Sequence, residues 1–125
     1  IDEKYRNVVV VVTDGYIYHQ QSVQKSGHRY SYLTEPLIVK EGLNKGDFRT
    51  KIETLDFGLI ATRNDLSNVE VLFLELAPLN NLDDFDIMKI VLTKWCNEMG
   101  INKVGIYKTD LPINTAKAID LFFKR

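Results

Sequence analysis

The sequence predicts an α/β fold of the α+β type, in which helices pack on a mixed sheet of about five to six strands. Five consecutive valines, Val8 to Val12, lead to an Asp14-Gly15 pair, which predicts a sheet that begins near the N-terminus. From Asp47 onwards, apolar residues recur at helical spacing. The passage from Val69 to Tyr107 combines an apolar strand, an amphipathic helix and a second strand, which is typical of a crossover unit.

The composition is that of one globular domain, expected to span residues 1–125. Apolar residues make up 45% and charged residues 26% of the chain, which indicates neither a disordered nor a membrane protein. A net charge of −1 disfavours direct binding to nucleic acid, which usually needs an excess of lysine and arginine. Cys96 is the only cysteine, so no intrachain disulfide can form and we expect a cytoplasmic protein.

The first third of the chain is predicted to form an antiparallel meander. Asp14-Gly15 suits a type I′ turn, so the valine strand should pair with a second strand over Tyr16 to Val23. Lys25 to Gly27 then provides another turn, before a third strand over His28 to Leu33.

Proline and aspartate predict the elements between residues 36 and 61. Pro36 cannot donate a hydrogen bond to a sheet, so Leu37 to Val39 is expected to be a short edge strand or an extended connector. Asp47 is a suitable N-cap for a helix that ends between Phe57 and Ala61. The apolar stripe of this helix comprises Phe48, Ile52, Leu55 and Leu59.

The second half of the chain predicts the crossover. Val69 to Leu76 is apolar on both faces and should be a central strand. The next helix is expected to start near Asn80-Asn81 and to end at Met99, because Gly100 suits a left-handed C-cap. A strand over 101–107 should lie parallel to the first with a right-handed crossover, and a short helix over 115–123 should follow.

Two groups of side chains are candidates for contact with a protein partner. Tyrosine combines a large contact area with a hydroxyl group, and it is enriched at interfaces. The tyrosines are Tyr16, Tyr18, Tyr30 and Tyr32; the other interpretation is that they form cross-strand aromatic pairs. The carboxylates are Asp83, Asp84 and Asp86, which could attract a basic partner or could stabilise the start of a helix.

Catalytic candidates are few. His19 or His28 could act as a general base with Asp14 or Ser22 nearby, so a small hydrolase or nuclease is the alternative function. Two histidines without a cysteine or a closely spaced carboxylate do not predict a metal site, and we expect no metal and no cofactor. Cys96 lies in an apolar helix and is expected to be buried and unreactive.

The order of these segments resembles that of bacterial contact-dependent growth inhibition immunity proteins. Gly15-Tyr16-Ile17, Ser26-Gly27 and Pro36-Leu37-Ile38 stand where one group of these proteins has a Gly-Tyr-Ile strand, a Ser-Gly turn and a Pro-hydrophobic segment. The helix that contains Trp95, followed by Gly100-Ile101 and a strand, continues the resemblance.

The resemblance implies a binding protein rather than an enzyme. Such proteins bind the toxic C-terminal domain of a matching toxin, often a nuclease, and block it in the cytoplasm. The hypothesis from the sequence is therefore a toxin-neutralising protein, a monomer or weak dimer, with no membrane contact. A structural subunit that docks by strand addition near Pro36 is a further possibility.

Overall fold

The computed structural model describes residues 6–18, 23–78 and 83–124. Within these residues it contains four helices and two three-stranded sheets. In chain order the elements are β1 (Asn7–Val12), β2 (Lys25–Ser26), β3 (Arg29–Tyr30), α1 (Glu35–Lys40), α2 (Phe48–Leu55), β4 (Gly58–Leu59), β5 (Val69–Leu76), α3 (Asp83–Glu98), β6 (Lys103–Lys108) and α4 (Pro112–Phe123). None of the helices is long and apolar enough to cross a membrane.

The larger sheet is parallel, with the strand order β1-β5-β6. Asn7 pairs with Val69 and Val12 pairs with Leu74, so the whole of β1 follows β5 in register. Glu70 pairs with Lys103 on the other side of β5. The central strand β5 is apolar because both of its faces are covered.

Helices α3 and α4 lie on opposite faces of the larger sheet. Val71 and Phe73 of β5 belong to the main core, which includes most of α3. Leu72 and Leu74, on the alternate face, pack against Phe122 of α4. Helix α4 approaches closely because Gly105 has no side chain: a Cβ there would lie 2.9 Å from Phe122 Cδ2.

The smaller sheet has the order β2-β3-β4 and is joined to α3 by polar contacts. Arg29 of β3 donates to both carboxylate oxygens of Glu98, at 2.5 and 2.7 Å, and to Asp56 Oδ1 at 2.8 Å. The hydrogen bonds to Glu98 raise the pKa of Arg29 above its ordinary value. Trp95 of α3 donates its indole N–H to the carbonyl oxygen of Ile60, which follows β4.

Several predicted elements are confirmed. The structure is mixed α/β. Strands β5 and β6 are parallel neighbours in the larger sheet, and α3 lies between them along the chain. Asp47 caps α2, because its Oδ1 accepts hydrogen bonds from the backbone of Arg49 and Thr50. Gly100 follows α3 with a φ of 92°, a left-handed conformation that glycine adopts readily.

The predicted Asp14-Gly15 hairpin is wrong, because Ile17 pairs with Leu33 and not with β1, and within the described residues the single mixed sheet with an N-terminal meander is not confirmed. Strand β1 pairs with β5, and Thr13 continues that pairing by donating to Leu74 O. Asp14 Oδ1 accepts from Tyr16 N, and Gly15 has a φ of 99°, so this pair turns the chain away from β1. Ile17 then forms an isolated bridge with Leu33, whereas residues 19–22 of the expected second strand lie outside the described part.

Two further predictions are corrected between residues 35 and 59. The expected strand at Leu37 to Val39 lies within α1, because Pro36 stands in the first helical turn, where a backbone N–H is not needed. Thr34 caps this helix by accepting from Leu37 N. Helix α2 ends at Leu55, earlier than expected, since Asp56 adopts a left-handed conformation with a φ of 53°.

Candidate functional site

The four tyrosines do not form one exposed surface. Tyr16 and Tyr30 are buried in the core, Tyr32 is half-buried, and only Tyr18 is well exposed, at 59%. The rings of Tyr30 and Tyr32 pack edge to face with centroids 5.4 Å apart. The expected partner contact through Tyr16 and Tyr30 is therefore corrected. Tyr16 precedes Ile17, which makes an isolated bridge with Leu33, and Tyr30 lies in β3 between β2 and β4, so neither belongs to the meander that the sequence predicts.

Tyr16 connects the N-terminal segment to the start of α3. Its hydroxyl group donates a hydrogen bond of 2.8 Å to Asp84 Oδ2, and the Asp84 residue is only 2% exposed. Burial raises the pKa of Asp84; the Tyr16 hydrogen bond acts in the opposite direction, and the nearby charges of Glu35 and Asp83 raise it further. Asp84 is thus a buried partner of Tyr16 rather than an exposed contact residue.

Three residues lie next to one or the other member of this buried pair, and we call them the acidic corner: Tyr18, Glu35 and Asp83. The Tyr18 ring lies 6.4 Å from the Tyr16 ring, and both carboxylates are near enough to affect the charge of Asp84. Tyr18 and Asp83 are exposed and Glu35 is half-buried. The fold therefore brings members of the two predicted contact groups together.

Asp86 faces a different surface from the acidic corner. It is half-buried and lines a shallow groove of about 680 Å³ along the outer side of α3. Arg49 and Lys89 line the same groove, so its charge is mixed. Of the three predicted aspartates, only Asp83 is an exposed part of the acidic corner.

A second polar cluster joins β3 to the end of α1. His28 Nδ1 lies 2.8 Å from Glu41 Oε2, and Tyr30 donates its hydroxyl hydrogen to Glu41 Oε1. The Glu41 side chain is 8% exposed. Burial acts to raise the pKa of Glu41, but the hydrogen bonds from Tyr30 and His28 together outweigh it, so this pKa lies below its ordinary value. Burial and the Glu41 carboxylate raise the pKa of Tyr30 to about 12.

This cluster changes the catalytic candidates. The structure pairs His28 with Glu41 and not with Asp14, while His19 and Ser22 lie outside the described residues. A carboxylate that orients an imidazole is one part of acid/base machinery. Sequence reasoning missed Glu41 because the segment before it was expected to be extended, which would not return this carboxylate to His28.

The structure also bears on the cysteine and on groups of metal-binding side chains. Cys96 is buried, as the sequence predicted, and burial raises its pKa to about 11. In residues 6–18, 23–78 and 83–124, no three side chains of histidine, cysteine, aspartate or glutamate are grouped so that they could hold a metal ion.

Comparison of the chain with protein-family models, curated proteins and solved structures gave no match. The functional assignment therefore depends on the geometry of this chain's own residues.

Proposed function

We propose that this chain is a toxin-neutralising binding protein of the immunity-protein kind, which covers a basic surface of a cognate toxin domain. The observation that carries the proposal is the Tyr16–Asp84 hydrogen bond. This contact fixes the tyrosine segment against the start of α3, with exposed Tyr18 beside Tyr16 and exposed Asp83 beside Asp84.

The physical properties of the acidic corner suit such a partner. Asp84 is screened from water, and two further carboxylates lie near it, so the local field is negative although the whole chain carries a net charge of only −1. Nucleases bind phosphates through basic surfaces, and a negative surface accelerates encounter with them. Tyr18 adds an aromatic side chain that can be buried against the partner.

Calorimetric titration with the C-terminal domain of a toxin encoded next to this chain tests the proposal. We expect micromolar or tighter binding, and we expect Asp83→Lys to weaken it at least about tenfold through like-charge repulsion. Asp120→Lys is the matched control, because it makes the same charge change at an exposed position of α4. Absence of heat at micromolar concentrations, or an equal loss in both variants, would contradict the proposal.

The His28–Glu41 contact favours a second candidate, a small hydrolase or nuclease. In that case Glu41 would orient the imidazole of His28, which would act as the general base. Activity of the purified chain on RNA, DNA or a chromogenic ester should then be abolished by His28→Ala and strongly reduced by Glu41→Gln. Glu53→Gln, at an exposed position of α2, is the control. Activity that survives His28→Ala would eliminate this candidate.

A further inference from the structure

Strand β1 is an edge of the larger sheet in the part of the chain that the structure describes. Thr13 donates its backbone N–H to Leu74 O, on the β5 side. Because backbone groups alternate in direction along a strand, those of Val8, Val10 and Val12 point away from β5. The outer side of β1 therefore presents three N–H and three C=O groups in the geometry of a strand partner.

The two edges of this sheet differ in how they are protected. Strand β6, at the opposite edge, has a lysine at each end and a glycine within it, and such features discourage pairing with another strand. Strand β1 has the sequence NVVVVV, with no charge, proline or glycine. Its Val9, Val10 and Val12 are 49%, 47% and 70% exposed. A long apolar edge of this kind favours pairing with a further strand.

An apolar cavity lies beside this edge, on the side of α3. Its volume is about 350 Å³, and its walls include Val9, Val11, Val71, Trp95 and Met99. The side chains of Val9 and Val11 lie on the α3 face of the sheet, where they line this cavity. Side chains on the same face of a strand added to β1 would therefore extend the wall of the cavity. Apolar side chains on that strand would lose contact with water there, which favours association.

We propose that β1 pairs in antiparallel fashion with β1 of a second copy of this chain, about a two-fold axis at Val10. In that register Val10 faces Val10 of the second copy, and Val8 faces Val12. The backbone N–H and C=O groups of all three residues point away from β5, so each facing pair exchanges two backbone hydrogen bonds. The two three-stranded sheets then become one sheet of six strands.

The chemistry of β1 favours a second copy over a different protein. From Val8 to Val12, every facing pair in this register joins two valines, and β-branched side chains pack well across strands. The net charge of −1 provides almost no repulsion between copies. The acidic corner is formed by other residues, so self-association is independent of the proposed function.

The oligomeric state provides the first test. Sedimentation velocity between about 5 and 500 µM should show a concentration-dependent dimer, because an interface made by one short strand from each copy is small and is expected to be weak. Val10→Lys should raise the dissociation constant at least about tenfold, since two lysines would face each other at the axis. Val39→Lys is the matched control, because Val39 of α1 is 52% exposed and lies elsewhere. A monomer at every concentration, or a dimer that Val10→Lys leaves intact, would overturn the proposal.

Disulfide cross-linking tests the register and does not depend on the Val10→Lys variant. Residues in a hydrogen-bonded antiparallel pair have Cα atoms about 5.5 Å apart, which a disulfide can join. Val10→Cys should therefore form a covalent dimer under mild oxidation, whereas two copies of position 12 would be about 14 Å apart. Val12 is the more exposed residue, so random collision predicts the opposite order. Cross-linking of Val12→Cys at the same rate or faster would overturn the proposed pairing.

Discussion

The hydrogen bond between Tyr16 and Asp84 allows a quantitative prediction. Tyr16→Phe removes the hydroxyl group that donates a 2.8 Å hydrogen bond to Asp84 Oδ2, but it keeps the aromatic ring in the core. Because Asp84 is only 2% exposed, water cannot readily replace the lost donor. The substitution therefore tests the contact that holds the acidic corner together.

The expected cost follows from the charge and burial of Asp84. A hydrogen bond to a charged group contributes about 1.5–3 kcal/mol, so we expect Tyr16→Phe to lower the free energy of unfolding by about 2 kcal/mol. For a chain of this length that corresponds to a fall of about 8 °C in Tm. In a double-mutant cycle with Asp84→Asn, the two residues should show a coupling energy of at least about 1 kcal/mol.

The cost should also depend on pH. Burial, the first cause, raises the pKa of Asp84, and loss of the Tyr16 hydrogen bond raises it further. The variant then binds a proton in the folded state at a higher pH than the native chain does. Its deficit should consequently be largest near neutral pH and should shrink as the pH falls and Asp84 becomes protonated.

Urea unfolding provides the assay, with stability obtained by linear extrapolation. Tyr18→Phe is the matched control, because it removes the same hydroxyl group from a side chain that is 59% exposed. We expect it to cost less than about 0.5 kcal/mol. A similar loss in both variants, or a coupling energy near zero, would refute the role assigned to the Tyr16–Asp84 pair.

Three further predictions concern Gly105, Cys96 and Glu41. Gly105→Ala should destabilise the chain by about 1–3 kcal/mol, because its Cβ would lie 2.9 Å from both Leu72 and Phe122; an unchanged Tm would contradict the close packing. Cys96 should react with a thiol reagent only as fast as the native chain opens, since it is buried and burial raises its pKa to about 11; immediate labelling near neutral pH would contradict this. Glu41→Gln should reduce stability more at about pH 7 than in acid, because despite burial the hydrogen bonds hold the pKa of Glu41 below its ordinary value, and the stability that they contribute is lost as the pH falls through that lowered pKa. A deficit in unfolding curves that does not shrink on acidification would argue against it.

Local chemistry accounts for the elements that the sequence predicted well. Val69 to Leu76 is apolar on both faces, and only a strand covered on both sides satisfies that pattern. The Asp47 cap and the Gly100 turn depend on one or two neighbouring residues, so they can be recognised without knowledge of the fold.

The errors arose where distant residues decide the structure. Gly15 does have a positive φ, but the turn leads Ile17 to a bridge with Leu33, while β1 pairs with β5, more than fifty residues later. The exclusion of Pro36 from sheets predicts an extended segment, whereas the Thr34 cap begins a helix that has Pro36 in its first turn. The contacts of Tyr16 with Asp84 and of His28 with Glu41 depend on that same chain path, so the sequence contained no signal for either pair.

The parallel pairing of β1 with β5 has a consequence for biosynthesis. Asn7 leaves the ribosome well before Val69, its partner in β5. The valine segment therefore stays unpaired with β5 while the intervening residues are translated. Helix α3 and strands β5 and β6 are close together along the chain and can assemble early, whereas docking of β1 requires closure of a long loop. We therefore expect nascent chains that end before residue 69 to bind chaperones that recognise extended apolar segments, and longer chains to be released from them.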